Sequence, residues 1–264
     1  MADQTALTHD LSLVEVYFLL NQKEGSYKLL LQYTLSDLVA NRVLVVEPVF
    51  KSTKKTNKLS RIGHIRFRLG SNYGSYKVLP HEEIFLSPFK GDIDLKMYFK
   101  HYILVLHEKI GTKGFFIREL LLKTLEQHGL YANNKLRSIF GMKPILTSAG
   151  QNRKLALMKY MTAKEEEIRP LLQTSSIEII ELVKGLGTSV LLLGVTADEL
   201  QTYFEGVAKG NTESTSAFEA LFPNGWYHLN REFEMRFDSL FAGGVRSVFQ
   251  GFIKADVGCG GCGA

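Results

Sequence analysis

Cysteine is nearly absent from this 264-residue sequence: Cys259 and Cys262 both sit in the glycine-rich tail Gly258 to Ala264. With none in the body, no disulfide holds the fold, which suits a reducing compartment. Long apolar runs are missing too. Val190-Leu191-Leu192-Leu193 falls far short of the roughly 20 residues that span a bilayer. The opening MADQTALTHD lacks the basic-then-apolar pattern of a signal peptide. These absences lead to the expectation of a soluble, cytoplasmic protein that can meet a membrane only from outside.

Catalytic signatures are equally scarce. The seven histidines, His9, His64, His81, His101, His107, His128 and His228, are scattered, with no HExxH pair. There is no Gly-x-Ser-x-Gly elbow and no phosphate-binding Walker loop. Glu165-Glu166-Glu167 reads as a solvated helix end rather than an acid pair. Gly185-x-Gly187 lies inside a helical pattern and follows no strand, so close helix packing is expected rather than a dinucleotide loop. The Cys259-Gly-Gly-Cys262 pair reads first as a flexible tail with incidental thiols. Weak metal binding, with ligands from elsewhere, or tail modification is the second reading. The expectation is a non-enzymatic protein without a cofactor.

Acidic residues are absent between Glu47 and Glu82. That interval holds Lys51, Lys54, Lys55, Lys58, Arg61, Arg66, Arg68 and Lys77, a charge of +8 in a chain whose net charge is +5. A basic segment on a near-neutral body points to an anionic partner, phosphate backbone or acidic lipid. A solvated loop is the ordinary alternative.

The remaining composition, 45% hydrophobic and 22% charged, is that of a globular protein with a full core. Ser12 with Glu15 at capping-box spacing starts one helix, and a second spans about Tyr27 to Ala40. Val43 to Val46 reads as a strand closed by Pro48. Ile62 to Leu69 alternates as a half-buried strand with a basic outer face, and Tyr76 to Leu79 pairs back on it. Helices follow over Asp94 to Ile110 and Lys113 to His128, the latter stopped by Gly129. Leu35-x-x-Leu38-x-x-x-Arg42-Val43 aligns with Leu122-x-x-Leu125-x-x-x-Gly129-Leu130, a short self-similarity that suggests a duplicated helix–helix–hairpin plan. Thr147 caps a helix to about Lys164, Ser175 or Ser176 starts one to about Leu193, Thr196 starts another, and Phe233 to Phe252 forms the last. The expected fold is mainly α, a helical bundle with winged-helix-like repeats and short β-hairpins. Expected boundaries are 1–90 and 91–164 for two winged-helix-like modules, 165–255 for C-terminal helices on the same body, and 256–264 for the tail.

From Leu11 to about Lys209 this order of elements resembles the Golgi phosphoprotein 3 family and its bacterial relatives. The resemblance is carried by Ile117-Arg-Glu-x-Leu-x-Lys-x-Leu-x-x-x-Gly129-Leu, by the hairpin Lys135 to Met142 with Pro144 after it, and by the opening helix Leu-Ser-Leu-Val-Glu-Val-Tyr-Phe-Leu-Leu. It implies a compact helical protein that binds a phosphoinositide headgroup and presses an apolar hairpin into the membrane. Arg118 matches the second arginine of the family's Arg-x-x-Arg headgroup pair. Phe115 stands where the first should be, Leu30 where an earlier arginine is expected, and the only tryptophan is Trp226.

The resulting expectation is a peripheral protein for anionic phospholipid headgroups. Arg118, Lys135, Arg137 and Lys143 would meet the headgroups, while Leu136, Ile139, Phe140 and Met142 enter the acyl boundary. The same four apolar residues could instead pack beneath the hairpin as an ordinary wing. Two alternatives stay open: a winged-helix nucleic-acid-binding regulator, and a scaffold for a protein partner.

Overall fold

The computed structural model describes residues 10–22, 25–51, 60–132, 144–174, 178–195, 199–200, 202–203, 222, 226, 228–233 and 237. It is mostly helical, with one small antiparallel sheet of order β1-β2-β3. The chain runs α1 (Leu13–Asn21), α2 (Tyr27–Ala40), β1 (Leu44–Lys51), β2 (Ser60–Leu69), α3 (Pro80–Leu86), a 3-10 turn (Ser87–Phe89), β3 (Met97–Tyr98) and α4 (Phe99–Ile110). One helical turn, α5 (Lys113–Phe115), leads through a π-helical segment (Phe116–Leu121) into α6 (Leu122–Gln127). Then come α7 (Ser148–Thr174), α8 (Glu178–Leu186) and a 3-10 segment (Gly187–Leu193).

Several ends obey the local chemistry. The Glu15 carboxylate reaches back to the Ser12 N–H at 2.8 Å, fixing the start of α1. Thr147 caps α7, its hydroxyl accepting from Gly150 N–H at 3.0 Å. On β2, Ile65, Phe67 and Leu69 are buried while His64 is exposed and Arg66 and Arg68 are half-exposed, the alternation of a sheet with one face in the core.

Other expectations are corrected. Pro48 does not close the first strand; it pairs with Ile65, and β1 continues to Lys51. Because β1 is an edge strand, proline's missing donor can face away from the ladder. Tyr76 to Leu79 forms no strand. Glu82 takes both Leu79 N–H (2.8 Å) and Tyr76 hydroxyl (2.9 Å), and Met97–Tyr98 pairs with β2 instead, Tyr98 opposite Arg66. That strand delays α4 to Phe99. The long helix runs past Lys164 to Thr174, so Glu165-Glu166-Glu167 is mid-helix, with Lys164–Glu167 and Arg169–Glu165 pairs at helical spacing. α8 gives way to a 3-10 segment at Gly187, whose φ is +54°. A Cβ on Gly185 would meet nothing within 4 Å, so close packing does not explain that glycine.

The self-similar stretches end alike. Val43 N–H bonds Leu38 O and Leu130 N–H bonds Leu125 O, both at 2.9 Å. Arg42 and Gly129, the aligned residues, both have positive φ, 56° and 69°. The chain then leaves as a hairpin arm: Gly70 N–H bonds Val43 O, and Thr147 N–H bonds Leu130 O. Leu44 pairs with Leu69, and Tyr131 bridges Leu146. A Cβ at Gly70 would lie 2.1 Å from Arg42 O, and one at Gly150 would lie 2.0 Å from Leu130 O. The backbone just past these two helix ends is thus built on one pattern.

One continuous core joins the chain from Leu11 to Phe237. Phe67 packs on Tyr102 (4.4 Å between ring centroids), and Tyr102 hydroxyl bonds Phe85 O at 2.7 Å. C-terminal residues enter the same core: Trp226 is fully buried, Phe233 meets Phe99, and Asn230 accepts from Gln32 at 2.8 Å.

Candidate functional site

Of the segment expected as a second hairpin, only the two ends are described. Ala132 N–H bonds Ile145 O at 2.9 Å, and Thr147 hydroxyl bonds Gly129 O at 2.7 Å. Lys135, Leu136, Arg137, Ile139, Phe140, Met142 and Lys143 lie outside the described residues. Among the described residues that follow in the chain, three large apolar side chains are open to solvent. Ile145 is 44% exposed, and Leu155 and Met158, one turn apart on α7, are 55% and 48% exposed. Leu155 sits about 10 Å along the helix from Ser148. Lys159 is exposed next to them, and Lys154 is half-buried. The opposite side of α7 carries the buried Leu157, Met161 and Ile168. No sequence motif marked Leu155 and Met158; only the burial of their neighbours shows that they are the outward side.

Arg118 lies on the π-helical segment and is exposed, its Nε donating to Gly114 O at 3.3 Å. π turns inside helices are frequent at functional sites. Phe115, where the resemblance expects an arginine, is 41% exposed. Leu30, the other such position, is fully buried in the core.

The basic interval divides. Lys54, Lys55 and Lys58 lie outside the described residues, and Lys51 and Arg61 lie on β1 and β2. Arg66 and Arg68 point from β2 toward Glu47 on β1, Arg68 Nε at 2.6 Å and Arg66 at 3.5 Å, with Lys96 at 3.3 Å. Partial burial raises the Glu47 pKa, but the bonds from Arg68 and Lys96 outweigh it and hold the carboxyl below its ordinary range.

Sequence reasoning missed a sealed cluster of acids. Glu15 on α1, Asp37 on α2 and Glu82 on α3 are all buried, as is His81. Asp37 accepts Leu13 N–H at 2.6 Å and Thr188 hydroxyl at 2.7 Å. Ser12 hydroxyl bonds Glu15 at 2.9 Å and lies 3.2 Å from His81 Nε2. Burial is the largest cause of every shift: it pushes Asp37 up to about 6 and Glu82 up to about 7, and holds His81 down to about 3. The Glu15 charge also raises Asp37, and Asp37 and Glu15 both raise Glu82. This cluster can hold protons near neutral pH, but it is closed to a substrate. The signal for it was Asp37, the lone acid of α2, set between the core residues Leu35 and Leu38.

Among the described residues, no set of three His, Cys, Asp or Glu side chains is placed to hold a metal ion, and no helix is long and apolar enough to cross a membrane. Cys259 and Cys262 lie outside the described residues. No family model, no curated protein and no solved structure matches the chain.

Proposed function

We propose that this chain is a non-enzymatic, peripheral membrane protein that binds anionic phospholipid surfaces from the cytoplasmic side. The observation that supports the reading is the exposure of large apolar side chains: Ile145, just before α7, and Leu155 and Met158, one turn apart in its N-terminal half. With Lys159 beside them, they form the mixed apolar and cationic surface that peripheral binding requires. Each large apolar side chain entering the acyl boundary contributes about 1.5–3 kcal/mol, and each cation near an anionic surface about 1 kcal/mol. The resemblance to the Golgi phosphoprotein 3 family assigns the hairpin residues Leu136, Ile139, Phe140 and Met142 to the same surface, with Lys135, Arg137 and Lys143 around them and Arg118 as a headgroup ligand. The paired helix–helix–hairpin units are the winged-helix-like repeats of this reading. A nucleic-acid role is less well supported. The helix that would enter a groove, α2, is buried at every residue from Leu30 to Val39.

Vesicle sedimentation tests the proposal. The full chain should bind phosphatidylserine-containing vesicles and not pure phosphatidylcholine. Leu155→Ser with Met158→Ser, and separately Ile139→Ser with Phe140→Ser, should each weaken that binding. The α7 pair should do so without shifting the melting temperature, because the side chains are already exposed. Unchanged vesicle binding in both double variants would sink the reading.

A further inference from the structure

The outward side of the sheet carries more positive charge than its structure uses. Glu47 lies directly across the ladder from Arg66, and among the described residues it is the one carboxylate paired with Arg66, Arg68 or Lys96. Only Arg68 makes a short contact, Nε to Oε1 at 2.6 Å, while its Nη1 donates to Leu69 O at 3.0 Å. Lys96 Nζ stands 3.3 and 3.4 Å from the two carboxylate oxygens, and the Arg66 contact is 3.5 Å. Among the described residues, the buried Arg66 Nε has no acceptor, and its guanidinium lies 5.9 Å from the centroid of the exposed Tyr98 ring. One carboxylate therefore serves three cations, two of them at long range. A donor held out of water without an acceptor costs free energy that an added oxygen would remove.

We propose that Arg66, Arg68 and Lys96 form a phosphate-binding site on the outer face of the sheet, with Glu47 as an internal counter-ion that an incoming phosphomonoester displaces. A dianion with several acceptor oxygens matches the surplus charge and the forked donors of two arginines better than a single carboxylate does. Displacement needs only a side-chain rotation of Glu47, since its backbone stays in the ladder. The ionised state that its cationic neighbours enforce keeps Glu47 competing at neutral pH. The site uses none of the residues of the membrane face, so it stands or falls separately. A phosphomonoester could come from a lipid such as phosphatidic acid or from a soluble metabolite.

Phosphorus NMR titration of inorganic phosphate into the full chain at low salt tests it. Saturable binding is expected in the wild type. Glu47→Gln, which removes the competitor, should bind about tenfold tighter, and Arg68→Gln about tenfold weaker. The gain in Glu47→Gln cannot arise from misfolding, so it keeps the test decisive if Arg68→Gln fails to fold. Absence of saturable binding in both wild type and Glu47→Gln, or unchanged or weaker binding in Glu47→Gln, overturns the proposal. Vesicles of phosphatidic acid in phosphatidylcholine then identify the source. If Arg66→Gln with Arg68→Gln loses affinity for these vesicles, the phosphate is a lipid's. If it loses only free phosphate, the natural ligand is soluble, and the vesicle binding that remains belongs to the hairpin and α7.

Discussion

The Asp37 carboxylate accepts the N–H of Leu13 at 2.6 Å, so a residue in the last turn of α2 caps the first turn of α1. The donor is one of the N–H groups that an α-helix leaves unpaired at its start, and the negative charge or dipole of a carboxyl suits that end of the helix dipole. The other oxygen of Asp37 accepts from Thr188, which ties both helices to the 3-10 segment after α8. Asp37→Ala should leave the buried Leu13 N–H and the half-buried Thr188 hydroxyl without this acceptor, at about 1–3 kcal/mol for the buried donor and less for the other. We expect a loss of roughly 2–5 kcal/mol in urea unfolding. Asp37→Asn should cost far less, because its carbonyl can still accept from Leu13 and the Thr188 hydroxyl can turn to accept from the amide. An alanine variant within 1 kcal/mol of wild type would show that the cap is not stabilising.

The same cluster makes stability depend on pH. Glu82 is pushed up to about 7 by burial and by the neighbouring Asp37 and Glu15, against the opposing bonds from Leu79 N–H and Tyr76 hydroxyl. Its folded pKa is above the unfolded one, so its contribution is complete below about pH 4.5 and is lost as pH rises through about 7. Asp37 acts in the same sense between its ordinary 3.8 and about 6. His81 opposes both at the acid end. Held down to about 3, it stays neutral in the fold while the unfolded chain takes up a proton, which removes stability as pH falls below about 6.5. Urea unfolding of wild type and Glu82→Gln at several pH values between 5 and 8 separates the terms. The wild type should lose a few kcal/mol more than the variant across this range, whatever constant offset the amide introduces. Parallel curves would mean that Glu82 is ionised throughout.

Local chemistry was legible in the sequence, and long-range pairing was not. Ser12 with Glu15, the stop at Gly129, the Thr147 cap and the alternation along β2 each depend on residues within a few positions. Pro48 misled because its effect depends on whether the strand is an edge, which is a property of the sheet. Tyr76 to Leu79 misled because Glu82 captures it from the next helix. At the candidate sites, the cationic character of Arg66 and Arg68 was plain, but their sharing of Glu47 required the strand register. The acid cluster draws on Glu15, Asp37 and Glu82 from three separate helices, so no window of sequence contains it. Leu155 and Met158 stand out only once the other side of α7 is known to be core.

The two matching junctions allow a test of the proposed duplication, with opposite effects expected at the two positions. Arg42 and Gly129 occupy the same place, just past a helix end, and both hold the left-handed conformation that a residue with a Cβ adopts at a cost. Arg42 is exposed, and its side chain makes no hydrogen bond among the described residues, so replacing it removes strain and little else. Arg42→Gly should stabilise the fold by about 0.5–1 kcal/mol, the relief of strain exceeding the entropy that glycine adds to the unfolded chain. Nothing lies within 4 Å of a Cβ at Gly129, so Gly129→Ala introduces the backbone strain without a clash. It should destabilise by about 1 kcal/mol. Chemical denaturation of both variants and of the double variant gives the comparison. The effects should add, since the residues sit at different junctions and neither substitution touches a shared partner. A destabilised Arg42→Gly would mean that the arginine side chain, rather than the turn, holds the first junction, and the equivalence of the two copies would fail at that residue.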